Sequence, residues 1–234
     1  MKLAIMQPYI FPYIGYFQLI NAVNTFVVYD NIQFTKKGWI NRNRILVNGK
    51  DEYFTLPLKK DSDFLNVDQR RLSESFPTDR VKILRRVTES YRRAPEFNNV
   101  FPLVESVFSN EQENLFDFIY QSLQATCRYL DITTEFVVSS TISIDHGLRS
   151  QDKVIAICKA LGATQYINPV GGMELYAKEV FSQNNIELSF IKSSPVEYKQ
   201  YNNEFVPWLS MIDVMMFNSK ETVQQYLRSS YTIL

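Results

Sequence analysis

Short apolar runs alternate with a helix-like stretch at the start of the chain. Residues 3–6 and 26–29 are apolar runs of strand length, and between them the apolar residues of 16–23 recur at the spacing of an amphipathic helix. A strand, a helix and a second strand within about 30 residues form a βαβ unit, which implies parallel strands and a right-handed crossover. The pattern therefore predicts an α/β protein.

The middle of the chain departs from this rhythm. Residues 44–47 and 53–56 are β-prone runs on either side of Asn48-Gly49, a dipeptide typical of hairpin turns. From residue 78 onward the apolar spacing becomes helical. The sequence therefore predicts a β-hairpin and a helical layer, together residues 44–130, inserted between the two halves of the sheet.

The α/β rhythm resumes after this insertion. Three more strands are predicted, at 135–138, 165–168 and 187–190. Four further helices are predicted, at 150–161, 173–183, 205–217 and 220–231. These elements predict a single domain, residues 1–234, built on a Rossmann-like, doubly wound parallel sheet of about five strands and closed by C-terminal helices.

Composition narrows the classes of function. Lys and Arg together number 25, as do Asp and Glu, so no net field attracts nucleic acid or anionic lipid. No segment reaches the roughly 18 apolar residues of a membrane span. Cys127 and Cys158 lie in helix-like stretches, where neither a disulfide framework nor a cysteine metal site is expected. We therefore expect a cytoplasmic protein that binds small molecules.

The first βα loop combines prolines and tyrosines with a glycine at a helix start. In open α/β sheets this loop walls the ligand crevice, and Gly15 would let an anion approach the N–H groups of the first helical turn. The tyrosines could instead plug the end of the sheet. We favour ligand contact, because a plug would not need so many hydroxyl groups. The candidate contacts are Gln7, Pro8, Tyr9, Tyr13, Gly15 and Tyr16.

A basic run follows the second strand. Asp30 stands at the carboxyl end of that strand, and four cations lie beside one indole in residues 36–44. Arg and Lys supply donors for phosphate or carboxylate, and an indole stacks on a base or a sugar ring. The alternative is a solvated charged segment. The candidate contacts in this run are Lys36, Lys37, Trp39, Asn41, Arg42 and Arg44.

Two later loops also follow predicted strands. The loop that holds Asn168, Gly171 and Gly172 could present N–H groups to an anion, although a turn that needs positive φ explains its glycines as well. The only histidine, His146, is a candidate acid or base, with a structural role as the alternative. One histidine excludes a histidine metal cluster, so no metal is expected. The catalytic candidates are His146 and Asp30.

Several of these segments resemble the WbqC-like family. The resemblance lies in MQPYIFPYIGYFQLI at 6–20, VYD at 28–30 and GWINRN at 38–43, and SQDK at 150–153 and NPVGG at 168–172 fit it. Members are associated with bacterial O-antigen and other surface-polysaccharide gene clusters. The resemblance implies a transferase that moves glycine or another acyl group onto an amino sugar, and it supplies no set of catalytic residues.

The layout of the first loop is also similar to the HxGH loop of the nucleotidylyltransferase and class I synthetase superfamily. Tyr13-Ile14-Gly15-Tyr16 opens a helix after a strand and a proline, but tyrosines replace both histidines. Tyrosines can donate hydrogen bonds to phosphates and are not cationic at neutral pH. This likeness implies nucleotide binding rather than nucleotidyl transfer.

The sequence thus predicts an acyl or aminoacyl transferase that acts on a nucleotide-linked amino sugar in surface-glycan synthesis. ATP, or a preactivated donor such as an acyl-CoA or an aminoacyl-tRNA, would supply the acyl group, and the neutral net charge disfavours tRNA. If the Tyr16 hydroxyl binds the ligand, Tyr16→Phe should weaken binding more than it lowers the melting temperature. The alternatives are a noncatalytic nucleotide-sugar-binding component of a glycan assembly pathway and a nucleotidylyltransferase-like enzyme. The acyl donor and the oligomeric state stay open.

Overall fold

The computed structural model describes residues 1–234, which form eight strands and eight α-helices. The strands are β1 (Lys2–Met6), β2 (Thr25–Val28), β3 (Arg42–Val47), β4 (Lys50–Thr55), β5 (Glu135–Val138), β6 (Gln165–Pro169), β7 (Glu187–Ser193) and β8 (Tyr231–Ile233). The helices are α1 (Ile14–Asn21), α2 (Phe76–Tyr91), α3 (Phe97–Phe108), α4 (Leu115–Tyr129), α5 (Ser150–Ala160), α6 (Lys178–Gln183), α7 (Met211–Phe217) and α8 (Lys220–Ser229). No helix is long and apolar enough to cross a membrane.

Six strands form one sheet in the order β5-β2-β1-β6-β7-β8. The first five of these are parallel, and β8 runs antiparallel to β7. The chain moves outward from β1 through β2 and β5, then returns to β6 on the other side of β1. This reversal creates a switch point between β1 and β6, and it confirms the predicted doubly wound sheet of five parallel strands.

Two apolar clusters cover the opposite faces of this sheet. Successive side chains of a strand alternate between faces, so β1 sends Ala4 to one cluster and Leu3 and Ile5 to the other. The Ala4 face packs against α1, α8 and the inserted helical layer. The opposite face is covered by α5 and α6, with Ile157 and Phe181 fully buried there. The structure therefore has three layers, with the sheet in the middle.

The predicted hairpin is confirmed as a separate two-stranded sheet of β3 and β4. Its turn is Asn48-Gly49, with φ angles of 50° and 77°. Two consecutive positive φ angles are what a two-residue type I′ hairpin turn requires, and Asn and Gly tolerate them best. The predicted helical layer follows as α2, α3 and α4.

The predicted helix at 173–183 is wrong over its first half. Val170–Leu175 forms a 3₁₀ segment, and α6 begins only at Lys178. Between them Tyr176 has extended backbone, with φ −134° and ψ 136°. Its ring lies edge-on to the rings of Tyr166 and Phe181, at 5.7 Å from each. These tertiary contacts hold Tyr176 out of a helical conformation.

The last two predicted helices are both too long. The first begins at Met211 rather than near residue 205, because the Ser210 side chain caps it by accepting from the Ile212 N–H. The second ends at Ser229, and the residues beyond it form β8. Pairing with β7 determines this ending, since β8 adds a strand to an exposed sheet edge.

Candidate functional site

A cleft lined largely by aromatic side chains lies beside the first βα loop. Its volume is about 260 Å³. We call it the aromatic cleft, and its walls are Tyr9, Pro12, Tyr13, Trp39, Asn43, Arg44 and Trp208. The first βα loop and the basic run, both predicted to bind ligand, therefore meet there. A third segment, around Trp208, also contributes. The sequence predicted a helix for that segment and no role in the site.

The loop of the aromatic cleft is held by side chains distant in sequence. Asn43 is 3% exposed, and its Nδ2 donates to the carbonyl oxygens of Ile10 and Phe11 at 3.1 and 2.8 Å. The Ser210 hydroxyl also donates to the Phe11 carbonyl, at 2.7 Å. Phe11 itself has φ 39°, an uncommon value for a bulky residue. Three hydrogen bonds from two side chains to two carbonyls therefore stabilise an otherwise unfavourable loop conformation.

Gly15 has a different role from the predicted one. A Cβ atom on residue 15 would lie 2.4 Å from Cε2 of Tyr13 and 2.7 Å from its hydroxyl oxygen. The glycine therefore makes room for the Tyr13 ring, which lies over the first turn of α1. An aromatic ring, rather than open space for an anion, covers the start of this helix.

Tyr16 lies in the core and not in the aromatic cleft. It is 2% exposed, and its hydroxyl donates to the Gln7 carbonyl at 2.8 Å. Burial, together with the neighbouring Tyr9 hydroxyl, raises the pKa of Tyr16 well above its usual value. Pro8 is buried as well. Tyr16 and Pro8 thus support the loop from beneath, whereas Tyr9 and Tyr13 face the cleft.

Most of the predicted basic run lies outside the aromatic cleft. Lys36 forms an exposed ion pair at 2.6 Å, and Lys37 is exposed with φ 60°. Arg42 donates to two carbonyls of the preceding turn, and Asn41 donates to the carbonyl that follows β4, at 2.9 Å. Lys36 and Lys37 are therefore exposed to solvent, whereas Asn41 and Arg42 make hydrogen bonds within the hairpin region.

Arg44 is the cation of the aromatic cleft. Its Nη1 pairs with Asp51 at 2.9 Å, its Nη2 donates to the Trp208 carbonyl at 3.1 Å, and its guanidinium lies 5.5 Å from the Trp39 ring centroid. The Arg44 Nε is buried and has no hydrogen-bond acceptor. The Arg44 side chain as a whole is 22% exposed and lines the cleft, so the accessible part of its guanidinium can meet an anionic ligand there.

Trp208 separates the aromatic cleft from a second pocket. Its ring lies edge-on to Tyr13 at 5.9 Å, and its φ of 60° is strained for a bulky residue. Beyond this pair lies an apolar pocket of about 340 Å³ with Pro195, Tyr198 and Phe205 in its walls. The only feature of the sequence that could have indicated a role for Trp208 in the site was its position directly after a proline.

A buried carboxylate anchors the loop that carries Trp208. Asp213 is fully buried and accepts hydrogen bonds from the Tyr91 hydroxyl, the Tyr198 hydroxyl and the Gln200 amide at 2.8, 2.6 and 2.7 Å. Burial raises the pKa of Asp213 to about 6, although these donors act in the opposite direction. This network ties the loop before α7 to α2.

The two catalytic candidates lie at the carboxyl edge of the sheet, Asp30 just after β2 and His146 on the loop after β5. Asp30 is 3% exposed, and one of its carboxylate oxygens accepts the Ser140 N–H at 2.9 Å. His146 contacts the Ile142 carbonyl through Nε2 and the Asn31 amide nitrogen through Nδ1, both at 3.0 Å. A carbonyl only accepts, so Nε2 carries the proton and the Nδ1 lone pair is occupied.

The predicted glycine-rich anion loop does not form a nest of N–H groups. Neither Gly171 nor Gly172 has positive φ, so the turn interpretation is wrong as well. Gly172 is buried, and a Cβ there would lie 2.2 Å from Asn168 Nδ2. Asn168 in turn accepts from the Tyr166 hydroxyl at 3.1 Å. Gly172 therefore permits close packing beside β6.

No group of three or more His, Cys, Asp or Glu side chains is arranged to hold a metal ion.

The chain is similar to an uncharacterized protein of Mycobacterium tuberculosis, Rv1507c, with 29% identity over 230 residues that cover 97% of each chain. No solved structure matches it. The family model described as the WbqC-like protein family matches residues 7–225, which include every wall of the aromatic cleft and the whole parallel sheet after β1. The chain belongs to the WbqC-like protein family.

Proposed function

We propose that the aromatic cleft binds a nucleotide-linked amino sugar and that the protein transfers an acyl or aminoacyl group, such as glycyl, to the sugar amine. The observation that carries the proposal is the partly exposed guanidinium side chain of Arg44 in a cleft walled by aromatic rings. A base or sugar ring would stack on Trp39 or Tyr13, and a phosphate oxygen would accept from Arg44.

Family membership supports the choice of substrate class. WbqC-like proteins are associated with surface-polysaccharide gene clusters, and the precursors of such glycans are sugars carried on nucleotides. The tyrosines at positions 13 and 16 disfavour nucleotidyl transfer, since no histidine is available at the start of α1 to steady a reacting phosphate. The proposed product is therefore an acylated sugar nucleotide for the synthesis of O-antigen or another surface glycan.

The chemistry requires a group that accepts a proton from the sugar ammonium. The freed amine attacks the acyl carbon, a C–N bond forms, and the leaving group departs with the electron pair of the broken acyl bond. Asp30 suits the acceptor role better than His146, because its second carboxylate oxygen receives no hydrogen bond from the protein. The Nδ1 of His146 is occupied by Asn31. Asp30 is thus the proposed base.

The route that we propose from the aromatic cleft to this edge passes Gln7. The Tyr9 hydroxyl, in the cleft wall, donates to the Gln7 side chain at 3.4 Å. Gln7 directly follows β1, and the Tyr29 N–H donates to the carbonyl of Met6, the last residue of β1, at 2.8 Å. A ligand with its nucleotide in the cleft would therefore extend its sugar across Gln7 toward Asp30.

A mass-spectrometric assay tests this function. Purified protein is incubated with dTDP-4-amino-4,6-dideoxyglucose and, in separate reactions, with glycine plus ATP, an acyl-CoA and glycyl-tRNA. A glycyl or acyl mass gain on the sugar nucleotide, abolished by Asp30→Asn and retained by the exposed-site control Lys36→Gln, supports transfer. No mass gain with any donor would overturn it.

A noncatalytic binding component is the second candidate function. The observation that favours it is that both ring nitrogens of the only histidine are bound within the protein. Calorimetric titration with the same sugar nucleotide separates the two. Binding without turnover across all three donors would favour the noncatalytic component.

A further inference from the structure

Lys153 is a buried cation without a hydrogen-bond acceptor. The residue is 5% exposed, and its ammonium makes no hydrogen bond or ion pair within the protein but keeps contact with solvent. Its Nζ lies 4.9 Å from the centroid of the Tyr29 ring. Burial lowers the pKa of Lys153, and the charge of Asp30 opposes this shift. Lysine is almost never this buried unless it is paired; here the stem is buried and the unpaired ammonium is accessible to an anionic ligand.

The start of α5 is open at the same place. Arg149, the residue that precedes the helix, provides no side-chain cap. The N–H groups of Ser150, Gln151 and Asp152 have no acceptor in the protein. Side chains on a helix lean toward its N-terminus. The Lys153 ammonium and these three free N–H groups therefore lie at one end of α5, beside the carboxyl end of β2.

We infer that Lys153 and the first turn of α5 form a second site that binds a phosphoryl group. An ammonium combined with several N–H donors at a helix start matches the multiple oxygens of a phosphate or diphosphate, and the helix dipole adds to the attraction. The Tyr29 ring lies beside the ammonium. The inference concerns binding alone, so it does not depend on the acyl transfer proposed above.

Asp30 restricts which ligand fits. Its carboxylate faces the region of Lys153 without pairing with it, and its free oxygen accepts hydrogen bonds but repels anions. A ligand that carries both a phosphoryl group and a hydroxyl satisfies Lys153 and Asp30 together. The ligand class is therefore a phosphorylated or diphosphorylated molecule with an adjacent hydroxyl, such as a sugar phosphate or a nucleotide.

Titration with inorganic pyrophosphate, by calorimetry and by the shift in melting temperature, tests the site. Lys153→Met should weaken binding at least tenfold and abolish the ligand-dependent rise in melting temperature. Lys159→Gln, on the exposed side of α5, is the matched control and should bind as the wild type does. Without ligand, Lys153→Met should melt at the same temperature as the wild type or higher, because methionine keeps the buried stem and the change removes a partly desolvated charge.

Three results would overturn the inference. They are an absence of pyrophosphate binding to the wild type, a Lys153→Met variant that binds within twofold of the wild type, and acetate that binds more tightly than phosphate, which would mark a carboxylate site. Arg44→Gln distinguishes this site from the aromatic cleft. That variant removes the phosphate contact proposed for the cleft, so pyrophosphate that still binds to Arg44→Gln and is lost in Lys153→Met lies at the start of α5. If Arg44→Gln loses all pyrophosphate binding and Lys153→Met keeps it, the phosphoryl group lies in the cleft.

Discussion

The helices α1 and α5 both begin at the carboxyl edge of the sheet without a side-chain cap, yet their starts differ in chemistry. The Tyr13 ring covers the first turn of α1, above Gly15. The start of α5 is open, and the unpaired ammonium of Lys153 lies at the same end. The same backbone geometry therefore supports an aromatic wall in one case and an anion site in the other. The side chain that lies over each helix start makes the difference.

Removing the Arg44 guanidinium should produce the largest change in ligand affinity at the aromatic cleft. We expect Arg44→Gln to lower nucleotide-sugar affinity by about tenfold to a hundredfold, since a hydrogen bond from a charged group contributes about 1.5–3 kcal/mol. Calorimetry measures the effect. Asp51→Asn breaks the ion pair but keeps the guanidinium in the cleft, so it should change affinity far less. Equal losses of affinity in both variants would show that Arg44 stabilises the fold through its ion pair and does not contact the ligand.

Asp213→Asn should destabilise the loop that carries Trp208 in the aromatic cleft and leave the start of α5 unchanged. Because the pKa of Asp213 is raised to about 6 in the folded protein, its contribution to the free energy of unfolding is fully present below about pH 4 and is lost as the pH rises through 6. The destabilisation caused by Asp213→Asn should therefore be larger at pH 5 than at pH 7.5, by about 1 kcal/mol.

Urea unfolding of both proteins at the two pH values measures this difference. Pyrophosphate affinity should not change in Asp213→Asn, because the network of this carboxylate lies on the opposite side of the sheet from α5. A pH-independent difference in stability would contradict the raised pKa. Lost pyrophosphate binding would contradict the separation of the two sites.

Gly15→Ala tests whether the Tyr13 ring covers α1. The new Cβ would overlap the ring, so we expect a loss of about 1 kcal/mol in the free energy of unfolding. In a Tyr13→Ala background the same change should be neutral or stabilising, because alanine is the better helix former. A double-mutant cycle from denaturant unfolding gives the coupling. Additive effects would show that the ring does not cover the helix start.

Tyr16→Phe should produce the smallest change in ligand binding. It removes the hydrogen bond to the Gln7 carbonyl, so the free energy of unfolding should fall by about 1 kcal/mol. Nucleotide-sugar affinity should stay within twofold, the reverse of the expectation from the sequence alone. An affinity loss in calorimetry larger than the loss of stability would return the hydroxyl to the ligand site.

The elements that could be predicted are those with local signals. Asn48-Gly49 predicted its hairpin because two positive φ angles depend on the residue types in the turn itself. The five parallel strands were visible as short apolar runs. The site was only partly predictable: Tyr9, Tyr13, Trp39 and Arg44 were named in advance, whereas Lys36 and Lys37 lie outside the cleft. A basic run shows charge but not the direction of each side chain.

The sequence by itself determined the α/β class, the hairpin, the helical insertion and the family, because periodicity, turn chemistry and motifs are local properties of the chain. Only the tertiary structure decided that Tyr13 covers Gly15, that Trp208 closes the aromatic cleft and that Lys153 is buried without a partner. Each of these depends on contact between segments far apart in the chain, and burial and desolvation arise only from such contacts.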